Sequence, residues 1–252
     1  MIDLETFFKE HPSVAIAFSG GVDSAYLLAE ALKYAHRVQP YYVKSEFQPE
    51  FELEDAKRLC RELGCTMKIL YLDALSDESV RKNPANRCYY CKKRIMGCIK
   101  AAARKDGFDI ILDGTNASDD SQDRPGMKVL SEEHIYSPLR DAGLTKRKIR
   151  ERSKELGLFT WNKSAYACLA TRVLTGVEIT KEILDSTEKA EGHLASIGLK
   201  DFRVRYLNGY AKLEIRKEDF PLLIFNQDDI YSYLTQFYPK GVLLDLKVRN
   251  GH

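Results

Sequence analysis

The sequence predicts an α/β protein in two parts, a parallel-sheet domain over residues 1–172 followed by a small α+β domain over residues 173–252. Three observations predict it. Short apolar runs alternate with segments of helical spacing through the first part, the pattern of a sheet whose two faces are covered by helices. The first of those runs passes directly into a glycine-rich loop that opens a helix. Beyond about residue 173 the order changes to helix, strand, strand, helix, strand.

In chain order, Val14-Ala-Ile-Ala-Phe18 is the first strand, Ser19 to Ser24 the loop, and Ala25-Tyr-Leu-Leu-Ala-Glu-Ala-Leu-Lys33 the first helix. A strand at Val38–Tyr42, a helix over Glu52–Leu63, a strand at Met67–Leu72, a helix over Lys92–Lys105 and a strand at Ile110–Leu112 continue the alternation. Glycine, asparagine and aspartate then gather between Asp113 and Gly126, and Leu144–Leu156 makes a helix stopped by Gly157. The second part reads as a helix over 180–197, strands over 202–207 and 210–216, a helix over 218–236 and a strand over 242–249. Asn208-Gly209 between the two central strands is the residue pair that best suits a type I′ hairpin turn.

Bulk properties narrow the function. A near-neutral balance of 39 basic and 37 acidic residues gives no global footprint for nucleic acid, so an RNA or DNA partner is not expected. The sequence holds no run of about 18 apolar residues and no charged-apolar-small leader, which predicts a cytoplasmic protein with no membrane partner. Six cysteines in such a chain point to metal or redox chemistry over a disulfide framework. Of these, Cys60, Cys65 and Cys98 read as small buried hydrophobes.

The loop Ser19-Gly20-Gly21-Val22-Asp23-Ser24 carries the most specific signal. Unpaired amides and the dipole at a helix start favour a phosphate, the two glycines let the backbone approach it, and the Ser19 and Ser24 hydroxyls add hydrogen bonds. Asp23 can hold Mg2+ or orient the chain around the pyrophosphate. The string S-G-G-x-D-S after an apolar strand resembles the PP-loop superfamily (adenine nucleotide α-hydrolase-like), whose members cleave ATP between the α and β phosphates. It lacks the G-K-S/T ending of a Walker loop, which disfavours γ-phosphate transfer. Lys44 and Ser45 follow the second strand, where that superfamily places adenosine. Asp113, Gly114, Thr115, Asn116 and Asp119 follow the strand Ile110–Leu112 at the same carboxyl edge, where open α/β sheets bind ligands. An Asx-rich turn is the bland alternative for that segment.

Cys88-Tyr89-Tyr90-Cys91 is a C-x-x-C pair, and Cys168 lies far away in Ala167-Cys-Leu-Ala-Thr-Arg172. Three thiolates leave a structural zinc site one ligand short. An iron-sulfur cluster on three cysteines keeps one iron open, whereas a redox dithiol would need a thiol activated by neighbours such as Lys92, Lys93 and Arg94. These readings stay open on the residues alone.

Together with Asn86-Arg-Cys88-Tyr-Tyr-Cys91-Lys92, Asp113-Gly-Thr-Asn116, Ser137-Pro-Leu139 and Ala167-Cys-Leu-Ala-Thr-Arg172, the loop gives a chain that resembles, over nearly its whole length, the LarE-type sulfur transferases. The resemblance implies ATP-dependent adenylylation of a carboxylate of pyridinium-3,5-biscarboxylic acid mononucleotide, and replacement of AMP by sulfur in nickel-pincer cofactor biosynthesis. Members with one cysteine at the position of Cys168 sacrifice its sulfur. Members that also carry Cys88 and Cys91 resemble catalytic enzymes in which a [4Fe-4S] cluster passes on sulfide from an unnamed donor. The resemblance further implies a homo-oligomer, a hexamer in the family, with Tyr89 and Glu191 near the acceptor; basic groups such as Arg172 could stabilise charge developing on the carbonyl oxygen. Two departures stand out: Asn162-Lys-Ser-Ala165 lacks a proline expected before the Cys168 segment, and Thr171 replaces a serine.

The C-terminal hairpin adds an independent expectation. A two-residue turn at Asn208-Gly209 sets Arg205 opposite Lys212 and Arg203 opposite Glu214 on one face, with Phe202, Val204, Tyr206, Ala211, Leu213 and Ile215 on the other. Like charges facing each other destabilise a hairpin unless an anion lies between them. Arg203 and Arg205 are therefore candidates to bind the phosphate of a mononucleotide, with Glu214 beside them as a further substrate-binding candidate, against the bland reading of a solvated charged face. The rival functions are a PP-loop tRNA thiolation enzyme, an amidating ligase of the NAD- or GMP-synthetase kind, and a non-catalytic nucleotide sensor.

Overall fold

A computed structural model describes residues 3–119 and 125–249. The helices are α1 (Leu4–Glu10), α2 (Val22–Tyr34), α3 (Glu50–Glu62), α4 (Glu78–Arg81), α5 (Arg87–Lys105), α6 (Pro125–Glu132), α7 (Pro138–Asp141), α8 (Lys146–Glu155), α9 (Lys181–Ile197), α10 (Phe220–Phe225) and α11 (Gln227–Leu234). The strands are β1 (Ser13–Ala17), β2 (Arg37–Lys44), β3 (Lys68–Tyr71), β4 (Ile110–Leu112), β5 (Arg203–Leu207), β6 (Tyr210–Glu214) and β7 (Gly241–Leu244). The chain divides into two compact units, Met1–Asp73 with Asn86–Lys163, and Ala74–Ala85 with Ser164–His252.

In the first unit the strands form a four-stranded parallel sheet in the order β3-β2-β1-β4. Successive side chains of a strand face opposite sides, so the unit has two apolar layers. Val14, Ile16, Tyr42 and Leu112 join one layer with residues of α1, α2, α3 and α8, including Phe8, Leu27, Leu28, Leu59 and Ile149. Ala15, Tyr41, Val43 and Ile111 join the other with Met96, Ile99 and Ala103 of α5 and Val129 and Leu130 of α6. Fully burying a side chain such as Leu28 or Phe8 contributes about 1.5–3 kcal/mol. These two layers fix the sheet, and the sheet fixes the loops at its carboxyl edge. Of the Asx- and Gly-rich stretch expected between Asp113 and Gly126, residues 120–124 lie outside the described residues.

The second unit carries a three-stranded sheet in the order β5-β6-β7, with β5 and β6 antiparallel and β6 and β7 parallel. Asn208 and Gly209 have φ of 48° and 91°, both left-handed as a type I′ turn requires. The register sets Arg205 opposite Lys212 and Arg203 opposite Glu214. Val204, Ala211, Leu213 and Ile215 enter an apolar core with Leu194, Leu199 and Leu234.

Three expectations need adjustment. The sequence reading divided the chain at residues 172 and 173, whereas the units as they pack divide after Lys163 and exchange Ala74–Ala85 as well. That excursion is held in the second unit by backbone bonds from Gly176 N to Asn83 O at 2.8 Å and from Ile179 N to Arg81 O at 2.8 Å, contacts between distant segments that no local pattern announces. The single helix expected over 218–236 is broken at Asn226, whose side-chain amide donates to Leu222 O at 2.8 Å and ends α10 before α11 begins. The last strand stops at Leu244 because Asp245 turns the chain, its carboxylate accepting from Lys247 N at 3.0 Å.

Candidate active site

In the first unit the end of β1 and the start of α2 form a cradle of backbone amides. α2 begins at Val22, earlier than the apolar spacing suggests, and Gly21 caps it without any side-chain hydrogen bond. The first-turn amides of α2 therefore carry no side-chain cap, the condition that favours an anion at a helix start. Gly20 holds φ 74°, and a Cβ there would stand 3.1 Å from the Cβ of Ala56 on α3. The loop is braced internally: the Ser19 and Ser24 hydroxyls lie 3.1 Å apart, Gly21 N donates to Ser19 Oγ at 3.4 Å, and Ser24 Oγ donates to Gly21 O at 3.2 Å.

Asp23 projects from the first turn of α2. One carboxylate oxygen accepts from Lys146 Nζ, while Oδ1 is buried without a hydrogen-bond partner. Burial pushes its pKa above the ordinary 3.8 despite the opposing pull of Lys146. A buried carboxylate oxygen with nothing to accept from fits a hard cation, since Mg2+ takes carboxylate and phosphate oxygens. Lys146 is the first residue of α8, positioned by Thr145, whose hydroxyl caps Lys148 N at 3.4 Å. The sequence reading missed Lys146; a lysine directly after a helix-capping threonine was the available signal.

The segment after β4 closes the cradle from another side. Asp113 is 5% exposed, and its carboxylate accepts from Thr115 N at 3.2 Å, Thr115 Oγ1 at 2.6 Å and Ser137 Oγ at 2.7 Å. Asn116, also buried, accepts from Ser118 N at 2.8 Å, while its own N–H donates to Asp119 Oδ2 at 3.1 Å. These bonds make Asp113, Thr115, Asn116 and Asp119 an Asx-type turn that fixes the backbone of the segment. Its purpose is visible at Gly114: a Cβ there would lie 2.9 Å from Ser24 N, so this backbone rests directly on the start of α2. Lys92 of α5 approaches Asp113 Oδ2 at 3.6 Å. Burial lowers the Lys92 pKa, with Asp113 opposing the shift. With Lys146, Lys92 supplies positive charge at the carboxyl edge, and sequence reasoning had used it only as a field for the thiols.

Lys44 and Ser45 end β2 and shape the turn into α3. Ser45 N and Oγ both donate to Gln48 Oε1, at 2.9 and 2.7 Å, and Lys44 Nζ reaches Gln48 O and, at 3.3 Å, Glu50. Both residues are thus spent on the turn in this state.

The C-x-x-C pair corrects the element assignment. α5 starts at Arg87, so Cys88 and Cys91 lie within its first turns and not ahead of a helix beginning at Lys92. Three residues apart on a helix, they share a face. Cys88 is exposed and Cys91 half-buried, and the buried Arg87 approaches Cys88 Sγ at 3.6 Å. Tyr89 donates its hydroxyl to Glu132 at 2.7 Å. Of the three cysteines expected to be buried, only Cys60 is; Cys65 and Cys98 are half-buried.

In the second unit, Cys168 is half-buried and caps the short 3-10 turn Leu169–Arg172. Arg172 is 1% exposed. Its guanidinium pairs with Glu191 through two bonds at 2.8 and 3.0 Å and donates to Ala167 O at 2.9 Å and Thr171 Oγ1 at 2.8 Å. Thr171 Oγ1 in turn donates to Cys168 O at 2.8 Å. Arg172 therefore holds the backbone on both sides of Cys168, and its donors face protein acceptors. Glu191 is equally occupied, accepting also from Tyr166 Oη at 2.5 Å and Val204 N at 2.9 Å. The Tyr166 ring lies under the guanidinium groups of Arg172, at 4.6 Å, and Arg203, at 5.5 Å.

The like-charge argument for an anion on the hairpin loses its premise. Arg205 pairs with Glu214 and donates to Thr171 O at 2.7 Å, while Lys212 pairs with Asp245 at 2.6 Å, so each cation has its own acid. Arg203 is 9% exposed and donates to Phe202 O at 2.6 Å and Ala165 O at 3.1 Å. Burial, followed by the nearby Arg172 and Arg249, lowers its pKa. The face is a part-buried charge network, not a solvated one.

Among the described residues no three His, Cys, Asp or Glu side chains are gathered as a metal site, and no helix is long and apolar enough to cross a membrane.

No family model matches the chain. It is 34% identical over 243 residues to pyridinium-3,5-bisthiocarboxylic acid mononucleotide synthase of Lactiplantibacillus plantarum, a match covering 94% of this chain and 87% of that one. An uncharacterized protein of Synechocystis sp. is 33% identical over 238 residues, covering 94% of this chain and 88% of its own. A tRNA-specific 2-thiouridylase of Thermotoga sp. matches at 28% over 142 residues, 46% of this chain and 39% of its own.

Proposed function

Because the chain belongs to the family of LarE-type sulfur transferases, whose relative at 34% identity makes pyridinium-3,5-bisthiocarboxylic acid mononucleotide, we propose that it is an ATP-dependent sulfur transferase acting on the corresponding biscarboxylic acid mononucleotide. The observation that carries the ATP half is the start of α2, with uncapped amides, Gly114 pressed onto Ser24 and one buried Asp23 oxygen without a partner.

In this reading the amides of the Ser19 to Ser24 loop take the phosphates, and Gly114, Thr115 and Asn116 hold the loop in place. Lys44 and Ser45 mark the adenosine end of the sheet edge. Asp23 would hold Mg2+, which when bound neutralises charge on the phosphates. Lys146 and Lys92 supply further positive charge for departing pyrophosphate. A substrate carboxylate oxygen attacks the α-phosphorus, the bond to the β-phosphate oxygen breaks, and pyrophosphate leaves. The acyl-adenylate then exchanges AMP for sulfur at the carbonyl carbon.

Cys88, Cys91 and Cys168 are the sulfur-handling set of this proposal. Two thiols on one face of α5 fit neighbouring ligands of a cluster, and three cysteines on a [4Fe-4S] group leave an iron open for sulfide. Arg172, with Glu191 behind it, sets the backbone on both sides of Cys168. Arg203 and Arg205 are proposed for the mononucleotide phosphate, with Glu214, the acid paired with Arg205, as a further substrate-binding residue and Tyr89 as an aromatic wall near the acceptor. A homo-oligomer and a cytoplasmic setting belong to the same proposal, which excludes nucleic-acid and membrane partners.

The test is anaerobic purification with iron and acid-labile sulfide analysis, followed by incubation with the biscarboxylic acid mononucleotide, ATP and Mg2+, and mass analysis of small molecule and protein. Iron, acid-labile sulfide and a thiocarboxylate product, with Cys168 intact in the protein, are expected. A thiocarboxylate formed by iron-free protein, with dehydroalanine at position 168, sinks the cluster and leaves the sacrificial route. No thiocarboxylate under either condition sinks the transferase assignment on this substrate.

A further inference from the structure

Two cysteines remain unused by the nucleotide and sulfur readings, and they stand together. α3 ends in a Schellman turn: Gly64 is left-handed at φ 68°, Cys65 N donates to Cys60 O at 2.9 Å, and Gly64 N donates to Arg61 O at 3.2 Å. A turn of this kind lays the side chains of its six-to-one bonded residues against each other, usually as an apolar contact. Here both are thiols. Their accessibility differs. Cys60 is 3% exposed in the core beside Leu59 and Leu63, whereas Cys65 is half-buried at the rim. The neighbouring thiol holds the Cys65 pKa below its ordinary value and, with burial, pushes that of Cys60 up. Cys98 offers the contrast, a half-buried thiol whose pKa burial alone raises.

We propose that Cys60 and Cys65 form a reversible dithiol–disulfide site, oxidised by a low-molecular-weight disulfide of the glutathione class. The Cys65 thiolate attacks one sulfur of the oxidant, whose S–S bond breaks, and the first small thiolate leaves and takes up a proton. The resulting mixed disulfide on Cys65 is attacked by Cys60, which gives up its proton as the second small thiol departs. Two protein thiols become one disulfide, the oxidant is reduced to two thiols, and both protons end on those products. The accessible thiol attacks and the buried one resolves, which follows from their positions in the turn. Cys60 lies one helical turn from Ala56, the residue nearest Gly20 of the nucleotide loop, so the site sits on the helix that supports the loop.

The sequence makes the product easy to recognise, because trypsin cuts after Arg61 and separates Cys60 from Cys65. The full-length protein, purified reduced and without oxygen, is incubated with oxidised glutathione, alkylated, digested and mapped. The expected result is a disulfide-linked pair of peptides joined across Arg61 and Glu62, formed several-fold faster than any glutathione adduct on Cys98. Cys60→Ser is expected to stop at a stable glutathione adduct on Cys65, and Cys65→Ser to leave Cys60 unmodified in the folded protein, with thermal melts confirming that both variants fold. A link that forms only in denaturant overturns the proposal. So does an adduct on Cys60 in folded Cys65→Ser protein, or a Cys65 no more reactive than Cys98.

Discussion

Gly114→Ala probes the point where two loops share one backbone contact. The added methyl would lie 2.9 Å from Ser24 N, 3.2 Å from Ser24 Cα and 3.3 Å from Asp23 C. All three are backbone atoms of the first turn of α2, which cannot swing aside as a long side chain would. Either the turn or the Asp113 to Asn116 segment must shift, and overpacking of this kind costs about 1–3 kcal/mol. Bound ATP would need the unshifted loop, so that cost falls on the bound state and converts, at about 1.4 kcal/mol per tenfold, to roughly 5- to 150-fold weaker ATP binding. Gly97→Ala is the control: it lies inside α5 with open space around the new Cβ and should stabilise the fold by about 0.5–1 kcal/mol. Isothermal titration with ATP and Mg2+, beside thermal melts, reads both effects. If Gly114→Ala binds ATP as tightly as the parent, as the Gly97→Ala control should, the loop is not the nucleotide site.

Three further outcomes follow from the same geometry. Glu191→Ala strands the guanidinium of Arg172, 1% exposed, and removes the acceptor for Tyr166 and Val204; a loss of about 3–5 kcal/mol is expected from urea unfolding followed by hydrogen exchange on peptides of the second unit, and a loss below about 1 kcal/mol would contradict the network. Asp23 has a folded pKa raised above 3.8 by burial, so the parent loses stability as pH rises through that folded value; Asp23→Asn should melt higher than the parent at neutral pH, lose that advantage as pH falls below 3.8, and bind Mg2+-ATP more weakly throughout. Arg203→Ala should weaken binding of the mononucleotide substrate without altering ATP binding, and unchanged substrate affinity would remove Arg203 from the phosphate site.

Much of this was legible in the sequence where the signal is local. The strand, glycine loop and helix from Val14 to Lys33 are specified by neighbours, and so is the hairpin, because Asn208-Gly209 admits one turn and the turn fixes which arginine faces which partner. What the sequence hid depends on contacts between distant segments. Nothing near Arg172 in the chain announces that Glu191 will pair with it. Lys212 looked like an unmatched charge because its acid, Asp245, arrives on the chain after β7. Lys146 reached Asp23 from 123 residues away. Cys60 and Cys65 were near neighbours all along, but only the left-handed Gly64 turns that spacing into a contact.

The central claim is that the carboxylate of the acceptor is activated by adenylylation at this loop. Substrate carrying heavy oxygen in its carboxylates tests it directly, because the attacking oxygen stays on the α-phosphorus when sulfur replaces AMP. The account predicts AMP bearing one heavy oxygen, unlabelled pyrophosphate and thiocarboxylate product in step. Release of ADP, or of AMP with no label, would contradict it.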